Sequence, residues 1–315
     1  MAKLLNFPQK IARKMENLKA NDYLCKNNAD DMKFVPFSLN VSGRLVEYTK
    51  PAVMGIVNVT PDSFYGGSRT FLADQVRARV EKLVAEGADF IDIGAYSSRS
   101  GADEVSPEEE LRRIETGMEQ IRKIAPEIPV SVDTFRANVA REAVENLSVD
   151  IINDISGGDL DAEMFAAVAE LKVPYILMHM RGTPAKMQSL TDYGSEGVTA
   201  NVLRDLAEKV NRLALLGVND IIIDPGFGFA KTLDQNYELL AEMEAFHSLE
   251  CPMLVGVSRK SMITKCLGIT SEEALNGTTV INTLALERGA AILRVHDVKE
   301  AVEAVKLYSK MMKLE

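Results

Sequence analysis

Apolar residues along this chain recur with two periods, and the two periods alternate. Short runs rich in β-branched residues fall at Val53–Asn58, Phe90–Gly94, Val130–Asp133, Ile151–Asp154, Tyr175–His179, Ile221–Asp224, Met253–Ser258 and Ile292–His296. Most are nearly continuous, the pattern of parallel strands covered on both faces. Between them, apolar positions return every three or four residues. Val76, Val80, Leu83 and Val84 run up to Gly87, Leu111, Ile114, Met118 and Ile121 form a second stripe, and Leu203, Leu206, Val210 and Leu213 run up to Gly217. That spacing predicts amphipathic helices closed by glycine. Ser106-Pro107-Glu108-Glu109 reads as a capping box with proline in the first turn. Eight such strand–helix units fit an α/β fold, a single (β/α)8 TIM barrel, better than an open doubly wound sheet, because no G-x-G-x-x-G follows the first strand. The barrel is assigned to residues 41–315 and an N-terminal extension, expected to be loosely ordered, to residues 1–40.

Composition narrows the class. The chain has 315 residues, 46% of them hydrophobic and 26% charged, with a formal net charge of −10. A surface that acidic disfavours a coat for nucleic acid or anionic membrane, and any anion site needs locally gathered cations. No apolar run approaches the length of a transmembrane helix. The three cysteines, Cys25, Cys251 and Cys266, lack metal-site spacing and read as reduced thiols of a cytoplasmic protein. Residues 1–33 carry seven Lys/Arg against four Asp/Glu. Asp22, Asp30, Asp31 and the absence of serine argue against a transit peptide there.

The polar residues fall at one end of every strand: Asn58, Asp92, Asp133, Asn153 and Asp154, His179, Asp224, Ser258-Arg259-Lys260, and Arg294-Val295-His296-Asp297. The carboxyl ends of barrel strands are where active sites form, so the pattern predicts an enzyme's mouth. Asp92 or Asp154 taken singly would serve equally as a strand-end cap of the following segment. Arg294 and His296 leave the same face of one strand, and with Arg99 they would make a cationic pocket suited to phosphate. Asp133, Asn153 and Asp224 offer acceptors and donors to a flat, nitrogen-rich ring, and Lys260 adds a movable donor. No Ser-His-Asp order, HExxH or P-loop supports hydrolase or kinase chemistry. A Schiff-base aldolase using Lys260, or a binding protein without catalysis, stays open on these residues alone.

Motifs at the strand ends sharpen the reading. Asn58-Val59-Thr60-Pro61-Asp62-Ser63-Phe64, Ser131-Val132-Asp133-Thr134, Ile152-Asn153-Asp154-Ile155 and Met178-His179-Met180 come first. Asp224-Pro225-Gly226-Phe227-Gly228-Phe229, Ser258-Arg259-Lys260-Ser261 and Arg294-Val295-His296-Asp297 follow in order. Together they resemble the dihydropteroate synthase family over roughly residues 51–307. The resemblance implies condensation of 6-hydroxymethyl-7,8-dihydropterin pyrophosphate with p-aminobenzoate, giving 7,8-dihydropteroate and pyrophosphate for folate biosynthesis. It also implies Mg2+ on the leaving group with Asn58 as a ligand, inhibition by sulfonamides, and a homodimer. Its residue roles carry over as follows. Asp133, Asn153, Ile155, Met178, Asp224 and Lys260 would hold the pterin. Ser98, Arg99, Arg294 and His296 would meet the pyrophosphate. Phe64, Ser100, Phe227, Phe229 and Ser261 would line the p-aminobenzoate site. Asp133, Lys260 and Arg99 would carry the chemistry. A corrinoid-linked pterin methyltransferase shares the ring-edge acceptors but has no need of the Thr60–Phe64 loop or the phosphate pocket.

One segment departs from the family pattern. After the second strand the chain reads Gly94-Ala95-Tyr96-Ser97-Ser98-Arg99-Ser100-Gly101, where the family usually has Gly-Gly-Glu-Ser-Thr-Arg-Pro-Gly. Tyr96 stands for glutamate and Ser100 for proline, while Arg99 and a hydroxyl at Ser98 persist. Losing the proline frees φ and loosens the loop. Ser100 is therefore expected to weaken sulfonamides, which project beyond the p-aminobenzoate outline, more than p-aminobenzoate itself. A Ser100→Pro variant should show lower sulfonamide inhibition constants at a nearly constant KM for p-aminobenzoate; unchanged inhibition constants would defeat the idea.

Overall fold

The computed structural model describes residues 34–60, 69–96 and 105–314. The chain enters through an antiparallel hairpin, β1 (Phe37–Val41) and β2 (Arg44–Tyr48), turning at Ser42 and Gly43 with φ of 49° and 78°. Two left-handed residues make the turn type whose twist matches paired strands. Strand–helix units then follow: β3 (Ala52–Asn58), α1 (Arg69–Glu86), β4 (Phe90–Gly94), α2 (Pro107–Ile124), β5 (Val130–Asp133), α3 (Ala137–Leu147), β6 (Ile151–Asp154) and α4 (Met164–Leu171). They continue as β7 (Tyr175–Met178), α5 (Gly197–Leu215), β8 (Ile221–Asp224), α6 (Leu233–Ala241), β9 (Leu254–Val255), α7 (Ser261–Leu267), α8 (Leu275–Glu287), β10 (Ile292–Val295) and α9 (Val298–Met312).

Strands β3 to β10 are parallel, in the order β8-β7-β6-β5-β4-β3-β10-β9, and a bridge between Ile223 and Met253 joins the two edges. The sheet is thus the expected (β/α)8 barrel. All residues of β4, β6, β7 and β8 are buried, as continuous apolar runs require when helices cover the outside and side chains fill the inside. Gly55 in β3 shows how close that covering is: a Cβ there would lie 2.9 Å from Leu83 of α1 and 3.1 Å from Val298 of α9.

The hairpin closes the barrel floor. Asn40 N–H donates to Asp220 at 3.2 Å and Ser42 Oγ to Asp150, both acceptors standing just before a barrel strand. Phe37 stacks on Tyr48 at 4.8 Å, and Tyr48 on the buried Phe90 at 5.0 Å. Residues 34–40 are therefore packed into the domain, and the boundary expected after residue 40 cuts through a hairpin. The signal was weak because five-residue strands bury only alternate positions, here Leu39 and Val41. Residues 1–33 lie outside the described segments.

Smaller differences have local causes. The strands expected over Tyr175–His179, Met253–Ser258 and Ile292–His296 end earlier, at Met178, Val255 and Val295. Val76, Val80 and Leu83 are buried but Val84 is 39% exposed, so the buried stripe ends at Leu83. Ser106 accepts from the Glu109 N–H at 3.3 Å, but the Glu109 carboxylate turns to Arg112 and Arg113, so only half of the capping box forms. No helix among the described residues is long and apolar enough to cross a membrane.

Candidate active site

The centre of the mouth is Asp92, the middle residue of β4, with no exposed surface. Its carboxylate accepts from Ser131 Oγ of β5, from Asn153 Nδ2 of β6 at 3.2 Å, and from Arg294 Nε of β10 at 2.7 Å. Arg294 Nη2 reaches Asp92 at 2.6 Å and Asp133, at the end of β5, at 3.0 Å. One buried carboxylate therefore draws together three residues that the sequence nominated separately: Asp133, Asn153 and Arg294. Burial without partners would cost several kcal/mol per charge, and these hydrogen bonds offset it. Sequence reasoning left Asp92 as an ordinary strand end, and Ser131 as part of a motif.

Lys260 and Asp224 form the second half. Asp224 ends β8 and accepts from Gly226 N–H at 2.8 Å. Lys260 donates to the Phe227 carbonyl at 2.6 Å, and its ammonium stands 4.7 Å from the centre of the Phe229 ring. Arg259, with φ of 56°, turns the chain at this point. Its guanidinium grips Asp297 through two 2.9 Å bonds, a fixed anchor that points the next residue, Lys260, inward. Arg259 is thus scaffold.

The electrostatics follow from three acids and two bases under one roof. Burial pushes the Asp133 carboxyl up to about 7, with Arg294 pulling it down and Asp92 pushing it further up. Asp224 is raised by burial and partly restored by Lys260. Lys260 falls to about 8, chiefly through burial, against the attraction of Asp224. His296 falls to about 4 through burial and then the nearby Arg294 and Arg79. Its imidazole is neutral at pH 7, so the expected cationic pocket has His296 as a neutral polar group, and Arg294 already paired with carboxylates.

An apolar wall stands beside these groups. Ile155, Met178, Met180, Met187 and Ala230 pack with Phe135, Leu160 and Phe229, apart from the main core. Ile155, Met178 and Phe229 therefore share one wall, beside the mouth. Phe227 is corrected: its ring is wholly buried in the main core and presents only its carbonyl to the mouth, because the left-handed Gly226 and Gly228 turn the side chain inward. Ser261 opens α7 and lines a cavity of about 280 Å³ with Gln188, Thr191, Thr232 and Lys265. Asp154 accepts from Ser156, Gly158 and Tyr175, so it shapes its own loop rather than the mouth. His179 is buried against Lys231, a residue sequence reasoning passed over. Phe64, Ser98, Arg99 and Ser100 lie outside the described residues.

Asn58 and Asp133 flank Gly94, whose missing side chain leaves room between them. No cluster of three or more His, Cys, Asp or Glu capable of holding a metal occurs among the described residues. A neutral amide oxygen beside a carboxylate suits a hard cation that keeps its waters and takes most protein-independent ligands from a phosphate.

Known proteins match this arrangement. The family described as pterin binding enzymes covers residues 54–296. Dihydropteroate synthase of Escherichia coli K12 is 42% identical over 272 residues, 85% of this chain and 94% of that protein. The Synechocystis dihydropteroate synthase is 40% identical over 87% of this chain and 95% of its own. Among solved structures, Xanthomonas albilineans dihydropteroate synthase with 4-aminobenzoic acid superimposes with a TM-score of 0.80 at 37% identity, over 88% of this chain and 99% of the other. The Yersinia pestis enzyme with a sulfonamide drug complex gives 0.81 at 36% identity, over 88% and 100%.

Asp92→Asn keeps the shape of the central group and removes its charge. It leaves Arg294 underpaired, and breaking a buried pair in this way should cost about 3 kcal/mol in urea unfolding. A variant as stable as the parent would show that Asp92 does not organise the mouth.

Proposed function

The chain belongs to the dihydropteroate synthase family of pterin-binding enzymes, and from that membership we infer that it joins 6-hydroxymethyl-7,8-dihydropterin pyrophosphate to p-aminobenzoate, releasing pyrophosphate and 7,8-dihydropteroate. It is a transferase of folate synthesis and a sulfonamide target. The observation that carries the reading is the Asp92–Arg294–Asp133 network standing beside Asp224, Lys260 and an apolar wall. Those groups are what a flat, nitrogen-rich ring needs: edge acceptors that tolerate burial, a donor, and apolar surface for its faces.

The pterin lies among Asp133, Asn153, Asp224 and Lys260, with Met178 and Ile155 against a face. Asp224 takes two hydrogen bonds from the amidine-like edge. The pyrophosphate meets Ser98, Arg99, His296 and Arg294. Phe64, Ser100, Phe229 and Ser261 enclose p-aminobenzoate. Asn58 would hold Mg2+ together with phosphate oxygens, and Mg2+ supplies neutralisation of the charge that gathers on the leaving group.

The bond from the exocyclic methylene to the pyrophosphate oxygen breaks and its electron pair leaves with pyrophosphate. Fixed cations lower that barrier, because they are already oriented when the charge develops. The methylene is left electron-poor and the dihydropterin spreads its positive charge. Asp133, in a mouth with more acids than bases, stabilises that cation. The neutral arylamine attacks and forms the carbon–nitrogen bond, then sheds a proton. No strong base is required, so positioning and exclusion of water dominate. The residues that differ from the family pattern, Tyr96, Ser98 and Ser100, all fall in the segment after β4.

We place the enzyme in the cytoplasm, on the support of free Cys251 and Cys266. A homodimer is supported by exposed apolar residues on adjoining helices, Val280 and Leu284 of α8 with Leu307 and Met311 of α9.

The direct test is turnover by purified protein given the dihydropterin pyrophosphate, labelled p-aminobenzoate and Mg2+. Labelled dihydropteroate should form, and Lys260→Ala and Arg294→Ala should each lower kcat/KM at least about a hundredfold, the scale of one lost fixed charge in a dry site. Tight pterin binding with no product from the parent would sink the reading.

The pH dependence has a defined sign. Asp133 acts as carboxylate, so kcat/KM for the pterin substrate rises as pH passes about 7. Lys260 acts as ammonium, so it falls as pH passes about 8. The profile should be a narrow bell whose alkaline limb disappears in the residual activity of Lys260→Met. A flat profile through this range would exclude both assignments.

A further inference from the structure

Lys231 takes no part in the chemistry above, yet it is only 4% exposed and touches no carboxylate among the described residues. Its Nζ donates to the Gly226 carbonyl at 2.8 Å and the Phe229 carbonyl at 3.0 Å, and lies 3.1 Å from His179 Nδ1. An ammonium fills all three bonds as donor to an unprotonated Nδ1. A neutral amine fills them too, giving two protons and accepting one from Nδ1–H. The contact set survives either protonation state, which matters because burial brings Lys231 down to about 7.

These bonds define a loop. Gly226, Gly228 and Ala230 all have left-handed φ, 73°, 82° and 51°, so the chain coils tightly between Asp224 and Lys231. A Cβ on Gly226 would sit 2.0 Å from the His179 carbonyl. Every carbonyl from 226 to 230 has a partner. Lys231 takes Gly226 and Phe229, Lys260 takes Phe227, Gln188 takes Gly228 at 3.2 Å, and Tyr193 takes Ala230 at 3.1 Å. The two carbonyls that Lys231 holds bracket the one that Lys260 uses. The Phe229 ring beneath the Lys260 ammonium hangs from the same stapled residue.

We propose that Lys231 is a positioning residue for the pterin site: its three hydrogen bonds staple the 226–229 loop so that the Phe227 carbonyl and the Phe229 ring hold Lys260 beside Asp224. The inference rests on the function proposed above. Removing the staple leaves the Phe229 carbonyl without its donor and the Gly226 carbonyl with only the Phe229 N–H at 3.2 Å, and the loop relaxes toward other donors. Lys260 then loses its fixed place, and pterin affinity falls while the p-aminobenzoate side is little changed.

The test uses the full chain with Lys231→Met, Lys231→Arg and Lys231→Ala, and reads 6-hydroxymethylpterin binding by calorimetry beside steady-state kinetics. Lys231→Met should weaken pterin binding about tenfold and move the KM for p-aminobenzoate less than about threefold. Lys231→Arg, which keeps donors on a longer stem, should recover part of the loss. The cavity beside Ser261 reaches Lys231, so propylammonium, which replaces the missing atoms in Lys231→Ala, should restore pterin affinity. That rescue also decides the matter if Lys231→Met proves unfolded by circular dichroism. Parent-like pterin affinity in folded Lys231→Met, or no rescue of Lys231→Ala, overturns the proposal. Absence of product from the parent would instead overturn the function and leave the binding measurement to judge Lys231 on its own.

Discussion

The barrel mouth depends on one buried carboxylate. Asp92 sits inside the strand ring with no exposed surface, and its charge must be matched where it stands. Arg294 matches it from two strands along the ring, over β3 and 202 residues away in sequence, and the same guanidinium reaches Asp133. Because β10 is the strand that pairs with β3, a break between Asp92 and Arg294 would loosen the junction of the first and last barrel units. Attraction at this depth is strong and so is the desolvation it opposes. The pair therefore serves geometry more than net stability: it holds Arg294, Asn153 and Ser131 in single orientations before any substrate arrives.

Charge balance follows from that constraint. Asp92, Asp133 and Asp224 face Arg294 and Lys260, leaving one acid in excess. The excess appears as the raised carboxyl of Asp133, which holds a proton up to about pH 7 in the absence of further positive charge. A reaction that develops a cation on the pterin methylene provides that charge at the transition state. The same site lowers Lys260 to about 8, close to the point where it can no longer help.

Rigidity is distributed unevenly. The floor is closed by the β1–β2 hairpin, through Asp150, Asp220 and an aromatic stack, at the end of the barrel away from the mouth. The loop after β8 is held by hydrogen bonds from Lys231 and by left-handed turns at Gly226, Gly228 and Ala230. Tyr96, where the family pattern has glutamate, packs edge-on against Phe135 at 5.1 Å, and the Arg136 guanidinium stands 5.4 Å from its ring. The stem of the β4 loop is therefore tied to the apolar wall by ring contacts in place of a charge.

Much of this was legible in the chain alone, for definite reasons. Parallel strands covered on both faces must be continuous apolar runs, and helices over them must repeat every three or four residues, so the eight units and their order stand out. Polar residues ending those runs have no structural purpose in common, which made Asp133, Asn153, Asp224, Lys260 and Arg294 visible as a set. What the residues do to one another was not legible. A lone Asp in a strand reads the same whether it caps its own loop, as Asp154 does, or collects three distant partners, as Asp92 does. A Phe in a glycine-rich loop can face the ligand or the core, and only the left-handed turns at Gly226 and Gly228 decide that Phe227 faces inward. Lys231 looked like one of many lysines until folding buried it among carbonyls. Periodicity is a local property and survives in sequence; partnership depends on contacts between segments far apart in the chain, and only the closed barrel brings them within hydrogen-bonding reach.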